Sequence, residues 1–236
     1  MSKLQLKNIT LVGCTCRDYV ETLLALEHCA NLCDFNNIVY FSDLDPFDFI
    51  YGLKLNIPNL TYVYVESFMT YDRVCIWFMT SYFKYQHLFS DFTLNIHHDG
   101  YIIRPNAWTN EFLEYDFVGA CQKWEVPMVM NNGFCLYSKQ FIKAMEKLNL
   151  PATSEACHPS DMILLKNHEK MNVKIAPVTL GHQFSSEGFR WDNNGSFGFH
   201  GLYNLVGADI KFPDICVPKH HKYYLTSNIP HRYSPI

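Results

Sequence analysis

The sequence has no long hydrophobic run and few charged residues. None of its apolar stretches approaches the roughly 18 residues that a membrane-spanning helix requires. Charged residues make up only 18% of the 236 residues, and Lys and Arg are scattered rather than clustered as in nucleic-acid-binding proteins. We therefore expect a cytoplasmic protein that binds no nucleic acid. The Lys, Arg, His and Tyr residues between positions 219 and 236 leave peripheral membrane association open, although a loose C-terminal extension is the simpler explanation.

The sequence also lacks the cysteine spacing of a disulfide framework or a zinc ribbon. Its nine cysteines are an odd number and show no repeated CxxC spacing. Cys29 and Cys33 lie one helical turn apart, a spacing that fits a metal pair but is more typical of buried helix packing. We expect the thiols to be reduced, as in a cytosolic protein.

The hydrophobic residues that are present suffice for the core of one domain. They make up 48% of the chain, and aromatic residues alone make up 16%. No internal repeat, low-complexity segment or linker divides the sequence. We therefore predict a single domain over residues 1–236.

The first third of the chain alternates strands with helices. The β-branched run 9–12 predicts a strand that ends at Gly13, and residues 19–29 have the apolar spacing of a helix. Residues 37–43 and 60–65 predict two further strands. This alternation is typical of an α/β fold with a mostly parallel sheet flanked by helices, in which ligands bind at the carboxyl ends of the strands.

The rest of the chain continues the mixed pattern. A helix is predicted over 71–85, and a buried strand over 92–96 delivers His97, His98 and Asp99 to its end. The further predicted elements are a strand ending at 120, a tight loop at 131–133, a strand at 134–136, a helix over 138–148, a helix capped at 159–161 that runs through Lys170, a strand over 173–177 and a mobile loop over 184–201.

Asp99 and His200 form a candidate divalent-cation site. Asp99 precedes a glycine at the end of a predicted strand, and His200 lies between small residues in 197–201. A carboxylate and an imidazole suit a cation that binds a pyrophosphate. His97 occupies the position of the second carboxylate in a D-x-D arrangement, and imidazole binds Mn²⁺, whereas Mg²⁺ prefers oxygen. Two alternatives stay open, because Asp99 could cap a turn and His200 could be a core histidine bonded to a backbone carbonyl.

Asp161 is the candidate general base. It lies near a predicted helix start, after a strand and a loop, where a carboxylate could accept the proton of an acceptor hydroxyl. A plain helix cap is the alternative for this residue. The Asn131-Asn132-Gly133 turn could supply a backbone wall for a sugar, although turn formation alone would explain it.

Several short motifs, taken together, resemble one protein family. The motifs are Tyr71-Asp72-Arg73-Val74-Cys75, His98-Asp99-Gly100-Tyr101, Asn106-Ala107-Trp108, the run from Glu111 to Ala120, Asn132-Gly133-Phe134-Cys135-Leu136, Phe184-Ser185-Ser186-Glu187 and Phe197-Gly198-Phe199-His200-Gly201. Their order, spacing and identities are similar to those of the domain of unknown function 5672, a family of small bacterial and viral glycosyltransferase-like domains. The resemblance spans residues 7–201 and leaves 202–236 as a C-terminal extension.

The resemblance implies a GT-A nucleotide-sugar transferase, that is, a Rossmann-related domain with a mixed, mostly parallel sheet. By position, it places Gly13, Thr15 and Arg17 near the nucleotide, and Asp99 and His200 at a Mn²⁺ or Mg²⁺ ion on the diphosphate. The further candidates are Glu187 as an alternative catalytic carboxylate, and Arg73, His97, His98, Asp99, Asn132 and Gly133 as donor-binding residues.

The chain departs from the family pattern at three places. Ser160-Asp161 stands where the family usually has a Glu-Asp pair, which puts the implied base at Asp161. Asn131-Asn132-Gly133 stands in place of Gly-Asn-Gly-Gly, and residues 135–138 replace a Ser-Leu-Arg-Ser run. These differences predict an unusual choice of donor or acceptor.

The predicted function is metal-assisted transfer of a sugar, with inversion, from a nucleoside-diphosphate donor to a glycan, lipid-linked or protein acceptor, as in polysaccharide biosynthesis. A nucleotidyl or phosphosugar transferase is one alternative, but residues 13–17 lack the glycine-rich loop with a lysine that such enzymes normally carry. A catalytically inactive sugar- or nucleotide-binding module is the other, because His97 replaces a carboxylate. The sequence leaves the donor, the acceptor and the oligomeric state open.

Overall fold

The computed structural model describes residues 2–67, 70–122, 128–129, 131–187 and 195–201. The first part of the chain alternates strands and helices, as predicted. Its elements are β1 (Leu4–Cys14), α1 (Tyr19–Leu32), β2 (Cys33–Ser42), α2 (Phe47–Leu53), β3 (Leu60–Tyr64), α3 (Tyr71–Ser81), a 3-10 helix (Tyr82–Leu88) and β4 (Phe92–Ile96).

The second part has shorter strands between its helices. Two 3-10 helices, Pro105–Ala107 and Asn110–Glu114, lie between β5 and β6. The elements are β5 (Gly100–Ile102), β6 (Phe117–Gly119), β7 (Cys121–Gln122), β8 (Met128–Val129), β9 (Phe134–Ser138), α4 (Lys139–Glu146), α5 (Ser154–Cys157), α6 (Ser160–Met171), α7 (Val178–Phe184), β10 (Ser185–Ser186) and β11 (Gly198–His200).

The central sheet has six strands in the order β3-β2-β1-β4-β9-β6. The first four strands are parallel to one another, whereas β9 runs antiparallel to both β4 and β6. The predicted mixed, mostly parallel sheet is therefore confirmed. Because β1, β2 and β4 run in one direction, their carboxyl ends meet at one edge of the sheet.

Helices cover both faces of this sheet. Successive residues of a strand point to opposite faces, and in β2 Ile38 and Tyr40 enter one buried cluster while Val39 and Phe41 enter the other. The first cluster includes side chains of α1 and α7, and the second includes side chains of α3, α4 and α6. Burial on both faces explains why residues 38–41 of β2 form a continuous apolar run.

A small second sheet lies beside the central one. Its strand order is β10-β11-β5, with β11 parallel to β10 and antiparallel to β5. The register places His200 opposite Gly100 and Phe199 opposite Tyr101. This pairing joins the end of the histidine motif to the glycine that follows Asp99.

Two predicted elements differ from the structure, and the structure also contains short helices that were not predicted. The predicted helix 71–85 ends at Ser81 and continues as a 3-10 helix, and the short helix α2 was not predicted. The predicted strand 173–177 is reduced to a single bridge between Ile175 and Phe117. The chain leaves the sheet there because Pro177 takes the N-cap position of α7.

The prediction of a mobile loop over 184–201 was wrong at both ends of the segment. Phe184 and Phe197 are fully buried, and residues 185–186 and 198–200 form β10 and β11. Aromatic contacts tie the two ends together, because the Phe184 and Phe197 rings lie 5.8 Å apart. The middle of the predicted loop, 188–194, lies outside the described residues.

Within the described ranges, no helix has both the length and the apolarity that a bilayer crossing requires. The extension 202–236, on which the prediction of peripheral membrane association depends, lies outside the described residues.

We expect Leu94→Ala to lower the free energy of unfolding by about 2–5 kcal/mol, because it leaves a cavity in the middle of the sheet. Leu94 lies in β4 and is fully buried, whereas Leu44 is 44% exposed. Chemical denaturation of both variants measures the effect, and Leu44→Ala should change stability far less. Equal losses in the two variants would contradict the buried position of Leu94.

Candidate active site

The candidate site lies where the parallel strands end. β1 and β4 reach this edge side by side, since Gly13 pairs with Ile96. Residues 97–99 follow β4 directly. His98 Nδ1 lies 3.6 Å from Asp18 Oδ2, which joins this motif to the loop after β1. The motif therefore occupies the edge at which α/β folds bind ligands.

Backbone pairing brings His200 to Asp99 although the two are distant in sequence. β11 places His200 opposite Gly100, and the Gly201 N–H donates a hydrogen bond to the Asp99 carbonyl at 3.0 Å. As a result, His200 Nε2 lies 3.2 Å from Asp99 Oδ1. The two residues predicted to bind a cation are neighbours in the structure.

His97 completes a group of three. His97, Asp99 and His200 each offer one ligand atom, and these atoms lie within 4.8 Å of one another. The His97 N–H donates to the Gly133 carbonyl at 2.8 Å, which fixes the turn after β4. From the sequence, His97 is predicted to bind the donor, and its D-x-D position also suggests contact with Mn²⁺; the structure places it beside both predicted cation ligands. The signal that could have shown its place is its position two residues before an aspartate at a strand end.

Burial and neighbouring charges set the protonation of these groups. Burial opposes the charged form of His200, but Asp99 and Glu187 outweigh it and raise the pKa of His200 well above its usual value. Burial alone would raise the pKa of Asp99, but His200 outweighs it and lowers that pKa. Burial, together with His200, lowers the pKa of His97 to about 4. At neutral pH Asp99 is therefore a carboxylate and His97 a neutral imidazole with a lone pair.

These three residues fit a divalent cation. Asp99 Oδ1 is buried and accepts no hydrogen bond from the described residues, and the nearby imidazole nitrogens are His200 Nε2 at 3.2 Å and His98 Nδ1 at 4.0 Å. Two imidazoles and one carboxylate suit Mn²⁺ better than Mg²⁺, which prefers oxygen ligands. A cation bound to His200 Nε2 would replace the proton on this nitrogen, which lies 3.2 Å from Asp99 Oδ1.

Glu187 lies on the other side of His200. Its Oε1 is 3.4 Å from His200 Nδ1 and accepts a hydrogen bond from Asn131 Nδ2 at 2.7 Å. Asn131 Oδ1 in turn accepts the Gly133 N–H at 2.6 Å. Gly133 lies so close to His200 that a Cβ at this position would overlap the imidazole. The Asn131-Asn132-Gly133 turn therefore packs directly against a predicted cation ligand.

Asn132 connects this turn to the helix that carries Asp161. Its Nδ2 donates to Ser160 Oγ at 2.9 Å, and its Oδ1 accepts the Tyr137 hydroxyl at 2.6 Å. Ser160 is the first residue of α6, directly before Asp161. The side chain of Asn132 is thus held inside the protein, while the backbone of the turn stays beside His200.

Asp161 is the second residue of α6 and is 9% exposed. Its Oδ1 accepts the Met162 N–H at 2.9 Å. The predicted helix start at 159–161 is confirmed, with Pro159 at the N-cap position, but no side chain caps the helix there. Asp161 is a buried carboxylate in the first helical turn.

A cavity lies between the end of β4 and helix α3. Aromatic side chains form much of its wall, including Tyr71, Phe78 and Tyr82. His97 and Ser160 also line it, so the cavity touches both the cation group and the residue before Asp161. An apolar pocket with a few polar groups is the usual form of a small-molecule site.

The loop after β1 is shaped by Thr15. Its Oγ1 accepts the N–H groups of Arg17 and Asp18 at 3.2 and 2.9 Å. The Arg17 side chain is largely exposed, with Nε 3.4 Å from Asp18 Oδ2. Asp18 Oδ2 also contacts His98, so Asp18 holds the positive charge of Arg17 near the 97–99 motif. Asp18 has no sequence signal of its own, since its partner His98 follows a different strand.

Gly13 and Arg73 are not members of the cation group. Gly13 lies inside β1, where a Cβ would come within 3.0 Å of a Leu26 methyl, so packing against α1 explains this glycine. Arg73 is exposed on the first turn of α3, the helix that lines the cavity. The predicted donor-binding role of both residues stays a prediction.

The architecture is that of GT-A glycosyltransferases. A glycosyltransferase involved in the glycosylation of the major capsid of PBCV-1 is similar at a TM-score of 0.50 and 8% identity, over 81% of this chain and 91% of its own. Glycosyltransferase GlyE of Streptococcus pneumoniae TIGR4 is similar at a TM-score of 0.50 and 12% identity, over 94% of this chain and 59% of its own. At these identities the similarity establishes the fold.

Residues 55–200, more than half of the chain, match a family described as "Protein of unknown function (DUF5672)", so the chain belongs to this family. The resemblance noted in the sequence is thereby confirmed. A search of curated protein sequences finds no match.

We expect Gly133→Ala to weaken Mn²⁺ binding by displacing His200, because the added methyl group would overlap its imidazole. Overpacking of this kind also destabilises a protein by about 1–3 kcal/mol. Isothermal titration with Mn²⁺ measures the affinity. Gly52→Ala is the matched control, since a Cβ at Gly52 meets no atom within 4 Å. Unchanged Mn²⁺ affinity in the Gly133 variant would contradict the described contact.

Proposed function

We propose that this protein transfers a sugar from a nucleoside-diphosphate donor to a glycan, lipid-linked or protein acceptor, with the help of Mn²⁺ or Mg²⁺. The observation that carries the proposal is the grouping of His97, Asp99 and His200 at the carboxyl edge of the parallel strands of a GT-A fold. A cation at this place would face the edge where a nucleotide binds in such sheets. The location proposed for this activity is the cytoplasm, in polysaccharide biosynthesis.

The residues around this edge have chemically distinct roles in the proposal. A bound cation would neutralise the charge that develops on the leaving diphosphate. Arg17 is exposed close to His98 and supplies a second positive charge for the donor phosphates. The backbone of Asn132 and Gly133, next to His200, forms a wall for the donor.

Asp161 is the proposed general base of an inverting transfer. Its carboxylate accepts the proton of the acceptor hydroxyl while the acceptor oxygen bonds to the anomeric carbon of the donor. The bond between that carbon and the diphosphate oxygen breaks, and the diphosphate leaves with the electron pair. Support comes from the burial of Asp161 and from its neighbour Ser160, which lines the same cavity as His97.

A catalytically inactive nucleotide- or sugar-binding module is the second candidate. The observation that favours it is His97, which stands where a D-x-D arrangement would have a carboxylate. In addition, a protonated His200 between Asp99 and Glu187 already neutralises part of the negative charge that a cation would neutralise. Detectable donor hydrolysis or sugar transfer distinguishes an enzyme from such a module.

We expect a nucleoside diphosphate with Mn²⁺ to raise the melting temperature of the protein. Ligand at a hundredfold excess over Kd adds about 2.7 kcal/mol of stability, which corresponds to about 5–10 °C for a domain of this size. Thermal-shift measurements with each nucleotide, with Mn²⁺ or with a chelator, test this expectation. Absence of a shift for every nucleotide would refute the donor site.

The variants Asp99→Asn and His200→Ala test whether the increase in melting temperature depends on the proposed cation site. Each should remove its Mn²⁺-dependent part, and the double variant should lose little more than either single variant, because both side chains act on one ion. Asp48→Asn, at an exposed aspartate of α2, is the matched control and should keep the shift. Additive losses would argue against a shared ion.

We expect Asp161→Asn to lower turnover by about 10²–10⁴-fold while donor binding is kept, because asparagine cannot accept the proton. Stability should change little, since the Asn oxygen can still accept the Met162 N–H. Steady-state kinetics and nucleotide titration give the two readouts, with Asp48→Asn again as control. If Asp161→Asn stays active and Glu187→Gln loses turnover, the base is Glu187. If both stay active, the inverting mechanism is refuted.

A further inference from the structure

His200 presents its two ring nitrogens to two different carboxylates. Nε2 lies 3.2 Å from Asp99 Oδ1, on the side of the cation group, and Nδ1 lies 3.4 Å from Glu187 Oε1, on the opposite side. The His200 and Glu187 side chains are only 17% and 13% exposed. Nδ1 is thus turned toward Glu187, and Nε2 is the nitrogen of His200 that is directed at Asp99.

The backbone sets this contact. β10 and β11 run parallel, with Ser185 beside Gly198 and Ser186 beside Phe199. Glu187 and His200 are the next residues in this order, so the same register brings their side chains together. The buried ring of Phe199 keeps β11 in place. The position of Glu187 therefore depends on strand pairing.

A hydrogen bond from Asn131 also fixes the Glu187 carboxylate. Asn131 Nδ2 donates to Oε1 at 2.7 Å, and Asn131 Oδ1 accepts the Gly133 N–H at 2.6 Å. The oxygen that faces His200 is thus tied to the same turn that packs against the imidazole. An acceptor held in this way can fix the orientation of the His200 imidazole ring and the ring nitrogen that carries the proton.

We infer that Glu187 is a positioning residue, which holds His200 with a proton on Nδ1 and with Nε2 directed at the cation, rather than the base of the reaction. This inference rests on the proposed cation site. Histidines that bind metals commonly donate their other ring N–H to a carboxylate, which fixes the tautomer and the ring orientation. Glu187 meets this condition through Oε1, whereas Asp161 lies in the first turn of α6 beside the cavity.

The comparison of Glu187→Ala with Glu187→Gln separates the two roles. A glutamine oxygen can still accept from His200 Nδ1–H and from Asn131, whereas alanine removes the acceptor. For a positioning residue, Mn²⁺ affinity should fall about 10–100-fold in Glu187→Ala and much less in Glu187→Gln. For a base, both variants should lose turnover and neither should change Mn²⁺ affinity.

Two measurements on the full chain, without any nucleotide, give the result. Isothermal titration with Mn²⁺ gives the affinity, and ¹⁵N–¹H spectra of histidine-labelled protein with Zn²⁺ as a diamagnetic probe report which His200 nitrogen carries the proton. The wild type and Glu187→Gln should keep the proton on Nδ1, and Glu187→Ala should lose this preference. Glu155→Ala, at an exposed residue of α5, is the matched control and should behave as the wild type.

Each outcome supports or overturns the inference. Wild-type affinity and tautomer in Glu187→Ala would overturn the positioning role and leave the proposed transferase intact. Absence of cation binding by the wild type would overturn both the cation site and this inference. If Glu187→Ala does not fold, Glu187→Met provides the same test, because it has a similar length and no acceptor oxygen.

Discussion

The antiparallel pairing of β11 with β5 is the contact on which the candidate site depends. Without it, Asp99 and His200 would be separated, since they follow different strands. Each strand has three residues, so the side chains must supply most of the stability. Phe197 and Phe199 are fully buried, and the Phe199 ring stacks on Tyr101 at 5.6 Å. Burial of such side chains contributes about 1.5–3 kcal/mol each, so the aromatic core holds the cation group together.

The charges of the site are arranged so that a divalent cation can replace the proton of His200 beside Asp99. A buried carboxylate without a partner is costly, and Asp99 and Glu187 share the imidazole of His200 between them. A divalent cation would satisfy Asp99 in place of the Nε2 proton, while Nδ1–H would remain for Glu187. His97, neutral because of burial, can join as a ligand without adding charge. The group is therefore stable as an ion-paired cluster and equally suited to a cation.

The sequence predicted the central sheet because local patterns determine it. The apolar run 38–41 marks a strand buried on both faces, and the strand predicted over 37–43 corresponds to β2, which begins earlier, at Cys33. The small sheet could not be predicted, since β10 and β11 are too short for a periodic pattern and form only through pairing of β11 with β10 and β5. The residue pair Asp99 and His200 could be proposed because both lie in recognisable motifs. The contact of Glu187 with His200 could not be proposed, because it depends on the pairing of these short strands. Sequence spacing does not show which side chains meet across strands.

The cavity adds a physical condition to the proposed chemistry. In an inverting transfer, the anomeric carbon must lie between the cation on the diphosphate and the base, and the cavity touches both His97 and Ser160, the neighbour of Asp161. Two polar groups of its wall already pair with each other, because the Tyr82 hydroxyl donates to Asn95 Oδ1 at 2.7 Å. An apolar wall of this kind excludes water, which strengthens the attraction between cation and diphosphate and disfavours hydrolysis of the donor. Under the proposed function, recognition of sugar hydroxyls would then fall to the neighbouring turn at 131–133.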